Sequence, residues 1–392
     1  MNHVAVRVVI IGGGAAGLAT ALAAARLGAR SVIVLERDYP ASGSSGLSAG
    51  IFNRQTPTAY EQEIRCFSVG RFAELERVGL KLERTGYVRV ARTQADVDRY
   101  VAAVARELEF GVHDARVIDV AELGKLVPGM ACDDLVGGLY CPSDGHLDGH
   151  ELCSAYITLA KAEGVEIRNQ TALLSAEVGP TSVNLETSRG QLTCDVVVNA
   201  AGAWAPQVAE LLGTHVPIAN QRHEICIAHL PAPLDPPMPI VNTYVPGSGT
   251  SSLYMRPEGP GRVLCGLHSY EVFASDAVSD PDNYPRSVSD VTTYRLAEEM
   301  LARMPAWDDV QLEPGWAGLY PISPDGLFQI GPHRQAPRVI VAGALGGVGL
   351  TVSAAIGQLA AEWAVLGEAR TFSFADEYLP DRPTLATNFE EL

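Results

Sequence analysis

The sequence predicts an α/β protein: a layered βα domain into which a second, α+β domain of antiparallel strands is inserted. Three stretches carry this expectation. Near the start, VRVVIIGGGAAGLATALAAARLGARSVIVLERD reads as strand, glycine turn, Ala-rich helix and strand. Near the end, RVIVAGALGGVGLTVSAAIG returns to the same texture of buried strand, glycines and helix. Between them, from about Val216, the runs HEICIAHL, SSLYMRPE and RVLCGLHS alternate and are separated by Pro and Gly, as antiparallel strands are. The return to the first texture implies a discontinuous domain over residues 1–85, 140–215 and 321–385. The inserted domain takes 86–139 and 216–320, and 386–392 form a tail.

The elements follow in order. Val6 to Ile11 are apolar and mostly β-branched apart from Arg7, as a strand buried on both faces should be. Leu18 to Leu27 keep a helical apolar spacing, Gly28 ends that helix, and Ser31 to Leu35 complete a βαβ unit. Residues 57–79 read as an amphipathic helix closed by Gly79. TGYVRVA is strand-like, QADVDRYVAAVARELE helical, and DVAELGKLVPGM a short helix stopped by Pro128. DGHELCSAYITLAKAEGVEI passes from helix to strand, and CDVVVNAAGAWAPQVAELL from buried strand to helix. A helix from Asp290 to Met304, with Ser289 as N-cap, interrupts the later strands. The apolar run Val341 to Leu366 carries one charge, Glu362, and is long enough to cross a bilayer. Its glycines divide it into strand and core helix, so no membrane span is expected.

Composition narrows the function classes. The 392 residues are 47% hydrophobic and 19% charged, ordinary for a globular chain with a large core. Acids outnumber bases 46 to 29, giving a net charge of −17, which argues against a nucleic-acid partner. Only Lys81, Lys125 and Lys161 are lysines. Seven single cysteines without a CxxC pair read as reduced thiols of a cytoplasmic protein, and no secretory leader is expected. No metal is expected either: His146, Asp148 and His150 in DGHLDGH lead into a helix and suit capping and turning.

Gly12, Gly14 and Gly17 in GGGAAG fit G-x-G-x-x-G, with Ala15 and Ala16 opening the helix. Glycine is needed to turn sharply, to let backbone N–H groups reach a pyrophosphate, and to pack helix on strand. Glu36, with Arg37 beside it, ends the second strand 24 residues after Gly12, where a carboxylate accepts from ribose hydroxyls. The pattern is that of a Rossmann-like dinucleotide domain. It does not separate NAD from FAD.

Six further motifs do: SGSSGLSAGIFNRQ (42–55), DGHLDGHEL (144–152), VVNAAGAWA (197–205), YMRPE (254–258), SPDGLFQIGP (323–332) and GALGGVGLTVS (343–353). In this order they resemble the D-amino-acid oxidase / sarcosine oxidase superfamily of flavoproteins, closest to its sarcosine/dimethylglycine branch. The resemblance implies an FAD-binding domain with an antiparallel substrate domain. It places Ser44, Ser45 and Gly46 near the FAD diphosphate, and the loop from Ala49 and Gly50 to Gln55 over the isoalloxazine. Leu173 would meet adenine, and Ala200, Ala201, Gly202 and Trp204 the ADP side. Gly346, Gly347, Val348, Gly349, Leu350 and Thr351 would meet the pyrimidine edge of the flavin, where a helix N-terminus favours negative charge.

The implied chemistry is hydride transfer from a C–H beside an amine nitrogen to flavin N5, giving an imine that water hydrolyses. The substrate is then a small amine or an (N-methyl) amino acid, with oxygen or another acceptor taking the electrons. His268, His223, Arg256 and Tyr254 are the candidate catalytic residues, and Arg54, Arg222 and Tyr320 the candidate substrate contacts. Three departures qualify the resemblance. Gly318 and Leu47 stand where relatives attach flavin through Cys or His, so FAD is expected to be noncovalent. Near Leu264 the sarcosine oxidases carry a lysine that hastens reaction with oxygen, which favours a dehydrogenase or a slow oxidase here. Thr351 stands where a carboxylate-holding Lys or Arg is frequent. Oxidation of a C–OH bond in a 2-hydroxy acid or polyol, and a role as flavin subunit of a multi-subunit amine dehydrogenase, remain open alternatives. A homo- or hetero-oligomer is compatible with all three.

Overall fold

The computed structural model describes residues 6–56, 58–235, 237–245, 252–268 and 277–386. Most of the tail at 386–392, and Ser251 at the head of SSLYMRPE, lie outside them. Strands β1 (Arg7–Ile11) and β2 (Ser31–Leu35) flank helix α1 (Ala15–Arg26). There follow β3 (Ile51–Phe52), α2 (Ala59–Glu76), β4 (Tyr87–Ala91), α3 (Gln94–Glu109), β5 (Arg116–Ile118) and α4 (Val120–Leu126). Next come β6 (Gly137–Cys141), β7 (Gly145–His146), α5 (Gly149–Ala162) and β8 (Glu166–Arg168). A meander of β9 (Leu173–Val178), β10 (Val183–Thr187) and β11 (Gly190–Cys194) leads into β12 (Val196–Asn199) and α6 (Ala205–Leu211). Then come β13 (Ala219–His229), β14 (Ile240–Asn242), β15 (Ser252–Pro257), β16 (Arg262–His268) and β17 (Ala277–Val278). Last are α7 (Asp290–Arg303), β18 (Gln311–Ile322), β19 (Gln329–His333), β20 (Ala336–Gly343) and α8 (Gly349–Leu366).

The nucleotide sheet runs β19-β20-β12-β1-β2-β8, parallel except for β19. Val8 to Ile11 are buried, as a central strand covered on both faces requires. Helices α1 and α8 cover one face through small residues. At Gly357 an added Cβ would fall 2.5 Å from the Ala19 carbonyl carbon, so the two helices run in backbone contact. One described helix, Gly346–Leu366, is long and apolar enough to cross a membrane by length and composition. Its side chains at Leu350, Val352, Ile356, Leu359 and Ala360 are buried in the main core beside those of α1, and Gly367 in the left-handed region (φ 74°) ends it.

The second sheet runs β17-β13-β16-β15-β14-β4-β6-β5, antiparallel except where β14 pairs with β4, with β18 along the outer side of β13. It draws strands from Tyr87–Cys141 and from Ala219–Ile322. One face packs under α7 and α4: Val88, Val90, Cys226, Val241, Met255 and Cys265 meet Leu296, Met300, Met304 and Leu123. Alternation along the strands turns the intervening side chains to the other face, toward the nucleotide domain. Ser289 Oγ accepts the Thr292 N–H at 3.2 Å and so caps α7, and Thr93 and Asp96 form a reciprocal capping box on α3.

Candidate active site

The C-terminal ends of β2, β1, β12 and β20 converge on one cleft, the usual ligand position in an open parallel sheet. Gly12, Gly14, Ala15 and Ala16 line it after β1, and Glu36 and Arg37 after β2. Ala200, Ala201, Gly202 and Trp204 follow β12, and Gly346, Gly347, Gly349 and Leu350 follow β20. Ser44, Ser45 and Ala49 come from the loop after β2, and Leu173 from the meander. The sheet domain adds His223, Tyr254, Gly318 and Tyr320.

The cradle fits FAD, an extended dinucleotide with an anionic middle. Gly12 has φ 113°, and a Cβ there would stand 2.4 Å from the Ala200 carbonyl oxygen, so only glycine passes. The Glu36 carboxylate accepts the Gly13 and Asp38 N–H groups, each at 2.8 Å, which fixes it at the strand end to accept ribose hydroxyls. Helices α1 and α8 both begin at the cleft without a side-chain cap and without an acid in the first turn. The Ala15 N–H of α1 donates to Ser45 Oγ at 3.1 Å, and the positive dipole ends of the two helices favour a diphosphate at one site and anionic flavin at the other.

At the sheet end, register sets the wall. Ile225 pairs with Gly266, Gly266 with Tyr254, Tyr254 with Asn242, and Asn242 with Arg89, giving one row across five strands on the cleft-side face. A Cβ at Gly266 would lie 2.6 Å from Tyr254 Oη, so glycine makes room for that ring. His223 stacks on Tyr320 with ring centroids 3.7 Å apart. Among the described residues its Nε2 is buried with no hydrogen-bond partner, and burial holds its pKa down at about 4, so the ring is neutral. Burial raises the Tyr254 pKa, keeping the phenol protonated.

His268 is not in the cleft wall. It lies behind Tyr320, edge-on at 6.4 Å, and edge-on to Tyr244 at 5.5 Å. Burial, helped by His223, Arg89 and Arg65, lowers its pKa to about 3.

The three arginines expected to meet substrate each hold a partner within the protein. Arg54 donates through Nε to Asp144 Oδ1 at 2.8 Å, and Asp144 is 0% exposed. Arg222 pairs with Glu224 at 2.7 Å and donates to the carbonyls of Pro285 and Ser287. Arg256 pairs with Glu258 and donates to His146 Nδ1 at 2.7 Å. Asp148 caps α5 by accepting the His150 and Glu151 N–H groups, and no described group of His, Cys, Asp and Glu could hold a metal.

Gly17, Gly46, Gly50, Val348 and Thr351 also stand behind the wall. A Cβ at Gly17 would fall 2.0 Å from the Gly12 oxygen, and one at Gly46 2.3 Å from the Ala41 oxygen. Gly50 (φ 69°) leaves only 1.9 Å to the Leu147 oxygen. Val348 is the N-cap residue of α8, so it shapes the turn into that helix. Thr351 Oγ1 donates to the Ile51 carbonyl at 3.1 Å, tying α8 to the overlying loop. Sequence reasoning passed over Asp282, Ile225 and Leu267 in the wall. It also passed over Arg89, whose charge inside the apolar run YVRVA was a usable signal, since buried Arg is rare.

Residues 7–363 match the family described as DAO, FAD dependent oxidoreductase. Dimethylglycine dehydrogenase of Rattus norvegicus is 26% identical over 376 residues, covering 92% of this chain and 43% of that one. The chain thus spans under half the length of that curated relative. Glycine oxidase of Geobacillus kaustophilus is 24% identical, covering 91% of this chain and 92% of that one. The crystal structure of L-proline dehydrogenase from P. horikoshii superposes with a TM-score of 0.82 at 22% identity, covering 96% of each chain. The glycine cradle, the Glu36 carboxylate and the two helix N-termini are the groups that would hold FAD, and the protein belongs to the DAO family of FAD-dependent oxidoreductases.

Proposed function

We propose that the protein oxidises a C–N bond of a small amine or N-methyl amino acid, a secondary amine to the imine and a tertiary amine to the iminium ion. The observation that carries this reading is the unpartnered, neutral His223 Nε2 beside Tyr254 and Tyr320, at the sheet end of the FAD cleft. FAD bound there supplies the hydride acceptor. Tyr254 and Tyr320 stand the substrate against it, and His223 accepts a hydrogen bond from the amine N–H or holds the nitrogen's departing proton. Ile225 in the cleft wall keeps the reacting C–H out of bulk water.

Arg89 shares the sheet face and row of Tyr254, two strands away, and is the cation that register aligns with it. A carboxylate on the substrate would reach toward Arg89 rather than Arg54, Arg222 or Arg256. Leu264, buried with Ile225 and Tyr254, leaves no cation at the position tied to rapid oxygen use, which supports a dehydrogenase. Seven free cysteines suit a reducing, cytoplasmic location.

The test is anaerobic mixing of the yellow protein with a panel of amines, N-methyl amino acids and 2-hydroxy acids, read as loss of flavin absorbance. Bleaching by amines alone is expected, with little peroxide when the active substrates are repeated in air. Bleaching by hydroxy acids alone would move the reading to C–OH oxidation, with His223 as base.

A further inference from the structure

The mouth of the FAD cleft is crossed by three side chains from three distant parts of the chain. Arg37 leaves the end of β2, and its guanidinium carbon lies 4.7 Å over the Trp204 ring. Asp282, between β17 and α7, accepts the Trp204 indole N–H at 3.0 Å and pairs with Arg37 at 2.9 Å. The Trp204 ring lies in turn against Gly43, where a Cβ would meet it at 3.3 Å. All four residues line the cleft. Arg37 and Asp282 are roughly half exposed, at 43% and 58% of their side chains, whereas Glu36 and Ala200 behind them are buried. The strap is thus an outer layer of the cleft.

The carboxylate is held in place rather than waving from a loop. The Asp282 N–H donates to Asp280 Oδ1 at 3.0 Å, and the Asn283 N–H to the Asp280 carbonyl at 3.2 Å. Further along, Arg222 grips the carbonyls of Pro285 and Ser287, and the Ala317 N–H donates to the Arg286 carbonyl. Arg222 therefore anchors the segment that presents Asp282.

We infer that Asp282 is a cofactor-retaining residue: with Arg37 and Trp204 it straps the cleft shut, so FAD enters and leaves only when this contact opens. Asp282 does not itself carry the chemistry; it acts through Arg37 and Trp204. Its negative charge in a cleft that takes an anionic cofactor makes the inference sharp. Were Asp282 merely a nearby acid, removing it would relieve repulsion and slow FAD release. As a strap, removing it speeds both release and uptake, and changes affinity less than either rate.

The experiment measures FAD release from the holoenzyme by the rise of free-flavin fluorescence on dilution, and uptake by the reverse mixing. Asp282→Ala is expected to release FAD roughly tenfold faster, the factor that 1.4 kcal/mol makes. Asp282→Glu should restore slow release. Molar salt should speed the wild type but leave Asp282→Ala unchanged, because an exposed ion pair is screened. Trp204→Phe, which keeps the ring and loses the N–H, should fall between the two and guards against a misfolded Asp282→Ala. Release from Asp282→Ala that is unchanged or slower, with uptake unaltered, overturns the inference. The inference rests on the cleft holding FAD, which the colour of the purified protein reports separately.

Discussion

Leu47 and Gly318 close on each other at the cleft wall, the Leu47 Cβ lying 3.4 Å from where a Cβ on Gly318 would stand. The family resemblance implies covalent flavin attachment at these two positions in some relatives, and neither residue here offers a nucleophile. Trp316 reinforces the contact by donating its indole N–H to the Leu47 carbonyl at 2.8 Å. Acid precipitation is therefore expected to leave all yellow colour in the supernatant. Flavin remaining in the pellet would contradict it.

Replacing Gly12 with Ala should abolish FAD retention. The new Cβ meets the Ala200 carbonyl at 2.4 Å and the backbone is held at φ 113°, so the turn must deform. The cost is of order 1–3 kcal/mol for the strained conformation alone. The check is flavin content together with melting temperature.

Arg54 and Arg89 should separate structure from substrate. Arg54→Ala strands the Asp144 carboxylate, 0% exposed, and removal of one partner from a buried pair costs about 3–5 kcal/mol. Its signature is a lower melting temperature. Arg89→Gln should raise KM for carboxylate-bearing amines by roughly tenfold or more, in line with the about 1.5–3 kcal/mol of a charged hydrogen bond, and spare amines without a carboxylate. Equal effects on both substrate types would remove Arg89 from recognition.

His146, His223 and His268 are held down at about 4, 4 and 3, with burial the largest cause in each. The unfolded chain takes up these protons near pH 6.5, before the folded one does. Stability is thus full above pH 6.5 and falls as pH drops toward 4, with a slope of up to about 1.4 kcal/mol per pH unit for each histidine. Thermal unfolding between pH 7 and 4.5 should show this decline, and His223→Asn should flatten part of it. Above pH 6 the rate of flavin reduction should show no break from His223.

Replacing His223 with Asn should slow flavin reduction by about 10²-fold if its Nε2 handles the substrate proton. Flavin content should stay close to normal, because His223 touches the sheet end of the cleft and not the glycine cradle. Unchanged reduction would remove His223 from the chemistry.

Local signals made much of this legible. The helix Gln94–Glu109 and the Ser289 cap stand where spacing and capping residues put them. The glycine cradle was readable because each glycine answers a local steric demand. Strand β18 was not, because Pro314, Gly315 and Pro321 suggest a loop. An outer strand bonded to β13 with a bulge tolerates them. The meander β9–β11 escaped notice because β9 is half exposed and weakly patterned. The fate of the arginines was hidden for a different reason. Asp144 lies 90 residues from Arg54, and the row from Ile225 to Arg89 is fixed only by the register of five strands.

The backbone contact between Ala19 and Gly357 also gives the cleft a sense of length. Helix α1 starts at the Gly12 turn and α8 at the Gly346 turn, so the place where they touch sets the span between two anion-favouring ends. A side chain added at Gly357 would push the two helices apart, and with them the two anion-favouring ends, from a position behind the cleft wall.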